Sequence, residues 1–212
     1  MKLKALALAI VIASAGAILA SCETMSAEEC QAADWQQIGY TDAANNGSDT
    51  FQSRAQSCQR KGFTSDGEAY ANGFGRGMRA FCTPERGFST ARYGRSFNGQ
   101  CPDDLAGGFN DGYADGQRAH AAIAAVDEVR GKISEAEGRR ERIDHETRET
   151  QRDLNAATTD DDRNRLRRRL DDLRRDRRNA NEDLRIANDQ LPRAMRLLDD
   201  VRAEIGGRYG SW

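Results

Sequence analysis

Apolar and small residues recur at alternating spacings of three and four across the last ninety residues, and this rhythm constrains the fold more than any other feature. It runs through Val126, Val129, Ile133, Ala136, Ile143, Leu154 and Ala157. After "TTDDD" it restarts at Leu166, Leu170, Leu173, Ala180, Leu184, Ala187, Leu191, Ala194, Leu198, Val201 and Ile205. Such spacing lays one stripe along a helix and signals a coiled coil. Arg140, Thr147, Thr150 and Arg177 interrupt the stripe, and its alanines predict close helix approach. Thr159 is placed to cap the second helix, and Asp160, Asp161 and Asp162 suit its positive N-terminal end. Two helices of similar length with a short connection should fold back on each other. The expectation is an antiparallel coiled-coil helical hairpin over residues 118–205 that turns near 158–160. Arms of about 40 residues would each span roughly 60 Å. The alternative is one continuous helix in an oligomeric coiled coil. Pro192 should kink the second arm or interrupt one turn of its hydrogen bonding.

Composition changes abruptly near residue 117. Fourteen of the 20 glycines lie from Gly39 to Gly116, and all seven phenylalanines lie between Trp35 and Tyr113, whereas residues 118–205 contain no aromatic residue and no cysteine. The chain therefore divides into a Gly/aromatic-rich region, 22–117, the hairpin, 118–205, and a flexible tail, 206–212. With 31% charged and 38% hydrophobic residues, the 212-residue chain has material for only a modest core.

Residues 1–21 read as a targeting segment: Lys2 and Lys4 precede the apolar run "ALALAIVIASAGAILA". The run ends in "LASC", which resembles the lipobox of bacterial lipoproteins. The resemblance implies that Cys22 becomes a diacylated N-terminus, anchoring the chain to a membrane through its acyl chains. An ordinary secretory signal is the alternative. Glu23, standing where Asp would favour inner-membrane retention, points to the outer membrane facing the periplasm. Removing Lys2 and Lys4 changes the formal charge from −2 to −4, without the basic excess expected of a nucleic-acid partner.

Cys30, Cys58, Cys82 and Cys101 remain. An even set in an exported chain reads as two disulfides with three possible connectivities. Loop closure favours near neighbours, Cys30–Cys58 and Cys82–Cys101. A metal site is the rival, but there is no C-x-x-C and no nearby His. No cofactor is expected beyond acyl lipid on Cys22.

Within the first region, Asp34–Ala44 and Phe51–Arg60 have helical character, and Ser65 with Glu68 forms a candidate capping box for a helix over Asp66–Phe81. Gly87, Gly94 and Gly99 are expected to break the chain into turns. Pro102, Asp103 and Asp104 mark a helix start that would run on into the hairpin. Small residues stand four apart at Gly39/Ala43, Gly73/Gly77 and Gly112/Gly116. That spacing notches one helix face, so a backbone or an aromatic ring can approach closely. Flanking Asp42, Arg76, Asp111 and Asp115 exclude the membrane-embedded version of this motif. Each interior Gly costs roughly 1 kcal/mol relative to Ala, so close packing must offset it. Trp35, Tyr40, Tyr70, Phe74 and Tyr113 are the expected partners.

The lipobox, "DWQQIGYTDA", "YANGFGRGMRAFC", "YGRSFNGQCP" and "FNDGYADGQ" together resemble a family of bacterial lipoproteins defined only as domain of unknown function 2799. The resemblance covers residues 22 to about 117. It implies envelope location and architecture and carries no activity. Ala43 departs from the expected glycine.

"GFGRG" at 73–77 imitates a phosphate-cradling loop, but no strand pattern precedes it and no G-K-[ST] follows. His120 and His145 lie 25 residues apart within helical patterns and read as surface residues. Asp42, Asp111 and Asp115 read as partners of local backbone or arginine. The stretch 163–178 holds nine Arg and three Asp. It is either a basic surface for phosphate groups or a solvated face with internal Arg–Asp pairs. No nucleophile–base pair can be assembled, so hydrolysis is the least supported class. The leading expectation is a scaffolding protein that meets an envelope protein, or another copy of itself, through the coiled coil. The alternative is a glycan- or lipid-binding module in which exposed Trp35 and tyrosines stack on sugars.

Overall fold

In a computed structural model the structure describes residues 24–212, which form seven helices and no strand. The expected targeting segment, 1–21, and the expected lipidation site, Cys22, lie outside the described residues. The described helices are α1 (Ala27–Gln31), α2 (Trp35–Asn46), α3 (Phe51–Gln59), α4 (Gly67–Phe81), α5 (Pro84–Arg92), α6 (Asp103–Ala156) and α7 (Asp160–Tyr209). None of them is long and apolar enough to cross a membrane.

Side-chain caps fix most of the helix starts. Ser26 and Glu29 form a capping box on α1, and Asp34 accepts from the Gln37 amide at 2.9 Å on α2. On α4 the cap is Asp66, accepting from the Ala69 amide at 2.9 Å, rather than the expected Ser65. A carboxylate is the stronger acceptor at a helix N-terminus. Thr83 Oγ1 accepts from the Arg86 amide at 3.2 Å at the head of α5. Gly87 is therefore a buried helix residue, not the expected turn. Its signal was local: Thr83 as cap, Pro84 at the first position and Glu85 in the first turn. Thr159 caps α7 as expected.

The described residues split into two compact units. One holds the chain up to Arg86 together with Phe97–Asn110, and the other holds Gly87–Ser96 with Asp111–Trp212. Composition places the boundary at 117. The structural division falls elsewhere because α5 contributes its Gly87–Arg92 segment to the second unit.

The first unit is built around Met25, Cys30, Trp35, Cys58 and Tyr70. Its rings pack in series: Trp35 meets Phe51 edge-on at 5.7 Å, Phe51 meets Tyr70 at 5.1 Å, and Tyr70 stacks on Phe74 at 6.0 Å. A second group joins Phe97 to Phe81 at 5.4 Å and to Phe109 at 4.6 Å. Disulfides link Cys30 to Cys58 and Cys82 to Cys101, with Cα separations of 5.4 and 5.8 Å. This is the nearest-neighbour pairing.

In the second unit Phe88, Ala119, Ala122, Val126, Leu198, Val201 and Ile205 form one core. Farther along α6 and α7 the three–four stripe turns inward: Val129, Ala136, Leu170, Leu173, Ala180 and Ala187 are buried. Two of the polar interruptions are paired, whereas Arg140 Nε is buried without a hydrogen-bond partner. Thr147 donates to the Ile143 carbonyl at 2.7 Å, and Arg177 Nε lies 3.5 Å from Asp144 Oδ1. Helix α7 continues through Pro192. The expected flexible tail is instead ordered: α7 runs to Tyr209, whose ring stacks on Phe88 at 4.3 Å, and Trp212 meets the same ring at 5.5 Å. Two large aromatic side chains near the chain end supply the apolar area that holds it.

Candidate functional site

The glycine pairs lie where helices cross at backbone contact. A Cβ on Gly39 would stand 2.2 Å from the Tyr70 carbonyl oxygen, and one on Gly73 would stand 1.9 Å from the Gln36 carbonyl oxygen. At Gly77 it would meet the Tyr40 carbonyl oxygen at 2.4 Å, Ala43 Cβ at 2.7 Å and the Ala44 amide nitrogen at 3.0 Å. Ala43, 0% exposed, packs its methyl group into this α2–α4 crossing opposite Gly77. The partners of the notch are therefore backbones. Of the expected aromatic partners, Tyr70, Phe74 and Tyr40 meet the glycines through backbone atoms and not through their rings, Trp35 is a core residue, and Tyr113 donates to the Arg95 carbonyl at 3.3 Å.

The second unit repeats this geometry. A Cβ on Gly116 would meet the Phe88 carbonyl oxygen at 2.3 Å, Ala91 Cβ at 2.9 Å and the Arg92 amide nitrogen at 3.0 Å. These atoms correspond one for one to those around Gly77. Gly112 is buried on the same helix. The partner "GFSTA", Gly87–Ala91, is a fourth copy of the aromatic-flanked small-x-x-x-small pattern. Sequence reasoning passed over it because Gly87 reads as a breaker. In each crossing the earlier helix, α2 or α5, leads to a positive-φ glycine, Gly47 (φ 62°) or Gly94 (φ 69°), a backbone state that glycine adopts without strain. Gly47 lies against the Phe81 ring, and Gly94 against the His120 ring, four residues beyond Gly77 and Gly116 respectively. His120 is a surface residue, as expected, with Nδ1 3.1 Å from the Arg92 carbonyl oxygen.

Each unit also holds one buried carboxylate. Asp42 accepts from the Tyr70 hydroxyl at 3.1 Å, from Arg54 Nη2 at 2.8 Å and from the Thr50 hydroxyl. Asp115 accepts from the Tyr209 hydroxyl at 2.9 Å and pairs with Arg208 at 2.8 Å. Such charge-assisted bonds satisfy a buried carboxylate and tie distant segments together. They fit the reading of Asp42 and Asp115 as arginine partners, whereas Asp111 is exposed. Burial pushes the Tyr70 hydroxyl pKa up, its bonds with Thr50 pull it partly back, and Asp42 pushes it up again. Tyr209 is raised first by burial and then by Asp115.

The arginine-rich stretch is largely paired. Arg163 meets Asp160 at 3.2 Å, Arg165 meets Asp162 at 2.7 Å, Arg174 meets Asp171 at 2.8 Å, and Arg175 pairs with Asp172. Arg169 reaches Glu146 on the opposing helix. A shallow hollow between α6 and α7 is lined by Lys132, Glu135, Arg139, Asp183, Ile186 and Gln190. Among the described residues no group of three or more His, Cys, Asp or Glu is arranged to hold a metal ion. Trp35, the ring expected to stack on sugars, is 6% exposed.

No curated protein and no solved structure matches the chain. Residues 34–118, which hold both helix crossings, match the model of the family described as Protein of unknown function (DUF2799), the family that the motifs around these glycines resemble.

Proposed function

We propose that the chain is a lipid-anchored protein of the bacterial envelope, whose α6 and α7 form an antiparallel coiled-coil arm that engages an envelope protein or a second copy of the chain. The anchor is assigned to Cys22 through the lipobox, and Glu23 favours the periplasmic face of the outer membrane. The antiparallel reading is supported by partners that draw closer in sequence toward the turn. Arg118 meets Glu204 across 86 residues, Arg139 meets Asp183 across 44, and Arg169 meets Glu146 across 23.

The observation that carries the interaction reading is apolar exposure outside the stripe. Ile186 is 42% exposed and Leu197 is 51% exposed. Eleven residues is close to three helical turns, so both side chains share one flank of α7, about 16 Å apart. A helix that only spaces two ends has no use for large apolar groups on its solvent face. Photo-crosslinking residues placed at Ile186 and Leu197 in living cells test this. The expected result is a discrete adduct from both positions. Adducts no stronger than those from the exposed Glu137 on α6 would contradict the reading.

A further inference from the structure

The chain immediately after Cys22 is already built into the first unit. Thr24 donates its hydroxyl to the Ser53 carbonyl at 3.1 Å. Met25 is 4% exposed; its carbonyl accepts from the buried Ser57 hydroxyl at 3.1 Å, and its sulfur lies 3.8 Å from Cys58 Sγ. Ser26 caps α1, and Cys30 at the end of α1 is bonded to Cys58 on α3. The segment from Thr24 to Cys30 is therefore fastened to α3 by hydrogen bonds, burial and a disulfide.

Glu23 alone separates Thr24 from Cys22. Two residues of extended chain span at most about 7 Å. An acyl-bearing Cys22 consequently cannot stand farther than that from Thr24, and so stays close to α3 at Ser53. The glycerol carrying the acyl chains belongs at the level of the phospholipid headgroups, so this part of the unit must follow it there. The chemistry of α3 suits that position. Gln52, Ser53, Gln56, Gln59 and Arg60 are exposed; Phe51–Arg60 itself contains no carboxylate, and Asp49, which borders this face, accepts from the Phe51 amide at 2.8 Å.

We propose that the exposed face of α3 around Ser53 and Gln56 is the membrane-apposed surface of the protein, held against phospholipid headgroups by the linker-free attachment at Cys22. This rests on the lipid-anchor reading above. The anchor then sets orientation as well as location: a long flexible tether would let the unit tumble, whereas one intervening residue does not.

The test uses the full lipidated chain in phosphatidylethanolamine–phosphatidylglycerol vesicles that carry a headgroup spin label. A fluorescent amino acid replaces Gln56, in the natural chain and in one with a Gly/Ser linker of about 12 residues, roughly 20 Å of slack, inserted between Glu23 and Thr24. Strong quenching that falls several-fold on linker insertion is expected. Equal quenching in both chains, or none in either, overturns the proposal. Vesicle flotation and the mass of the N-terminal fragment are read in parallel. A chain without lipid on Cys22 overturns the anchor reading together with this one. A lipidated, floating chain whose Gln56 is unquenched overturns the apposed surface alone.

Discussion

Gly77 and Tyr40 approach so closely that a single added methyl group on Gly77 would stand 2.4 Å from the Tyr40 carbonyl oxygen. Neither side of this contact has a flexible side chain that could move aside. The α2–α4 crossing is thus closed to every residue larger than glycine at Gly39, Gly73 and Gly77.

The substitutions G39A, G73A and G77A should therefore each destabilise the first unit by about 1–3 kcal/mol or more, as overpacked cores do. Gly75 is the internal control. It lies on the same helix with nothing within 4 Å of an added Cβ. G75A should gain about 1 kcal/mol from helix propensity. Urea titrations followed by circular dichroism measure both. A neutral G73A would refute the backbone crossing.

The chain end should contribute to the stability of the second unit. Replacing Tyr209 by alanine removes its stack on Phe88 and its bond to Asp115, and should cost roughly 2 kcal/mol. Y209F removes only the hydroxyl donor and should cost about 1 kcal/mol. If both variants melt like the parent, the end is not packed in solution.

Reduction should weaken the first unit more than any single exposed substitution. The disulfides close loops with sequence separations of 28 and 19, each worth about 3–4 kcal/mol in the chain-entropy view. Melting with and without reductant, compared with C30A/C58A and C82A/C101A double variants, should show a drop for either pair. An unchanged midpoint in reductant would count against both bridges as structural.

Alkaline pH should destabilise the protein through its two bonded tyrosines. The folded-state pKa values of Tyr70 and Tyr209 are raised above 10.0, so the native state keeps protons that the unfolded chain releases. Their stabilisation is complete below about pH 10 and is lost as pH rises through the folded values. The slope of unfolding free energy above pH 10 should flatten in Y70F/Y209F. An identical slope in parent and variant would show that these hydroxyls do not differ from those of the unfolded chain.

Legibility from sequence followed the range of the interactions. The α6 and α7 stripe could be read because each helix repeats a local spacing, and the disulfide pairing because short loops close at least cost. The glycine pairs announced close approach, but their partners could not be read, since a backbone oxygen such as that of Tyr70 carries no sequence signature. Gly87 reads as a breaker because glycine serves both as breaker and as packing residue; the local start signal of Thr83, Pro84 and Glu85 decides for the helix, and Gly116 shows what Gly87 packs for. The chain end was misjudged because Tyr209 packs on Phe88, which precedes it by more than a hundred residues. The docking of Thr24 and Met25 on α3 likewise depends on a contact that no local pattern announces.

The most direct test of the proposed arm is to remove the apolar groups that it exposes. I186Q and L197Q together leave the buried stripe, the helix length and the capped turn at Thr159 unchanged. Crosslinked partners of the parent and doubly substituted chains would be compared in cells, with melting curves to confirm that both fold. The account predicts that the partner captured by the parent chain is lost or sharply reduced with the variant. The same partner captured in the same yield by a folded variant would contradict it.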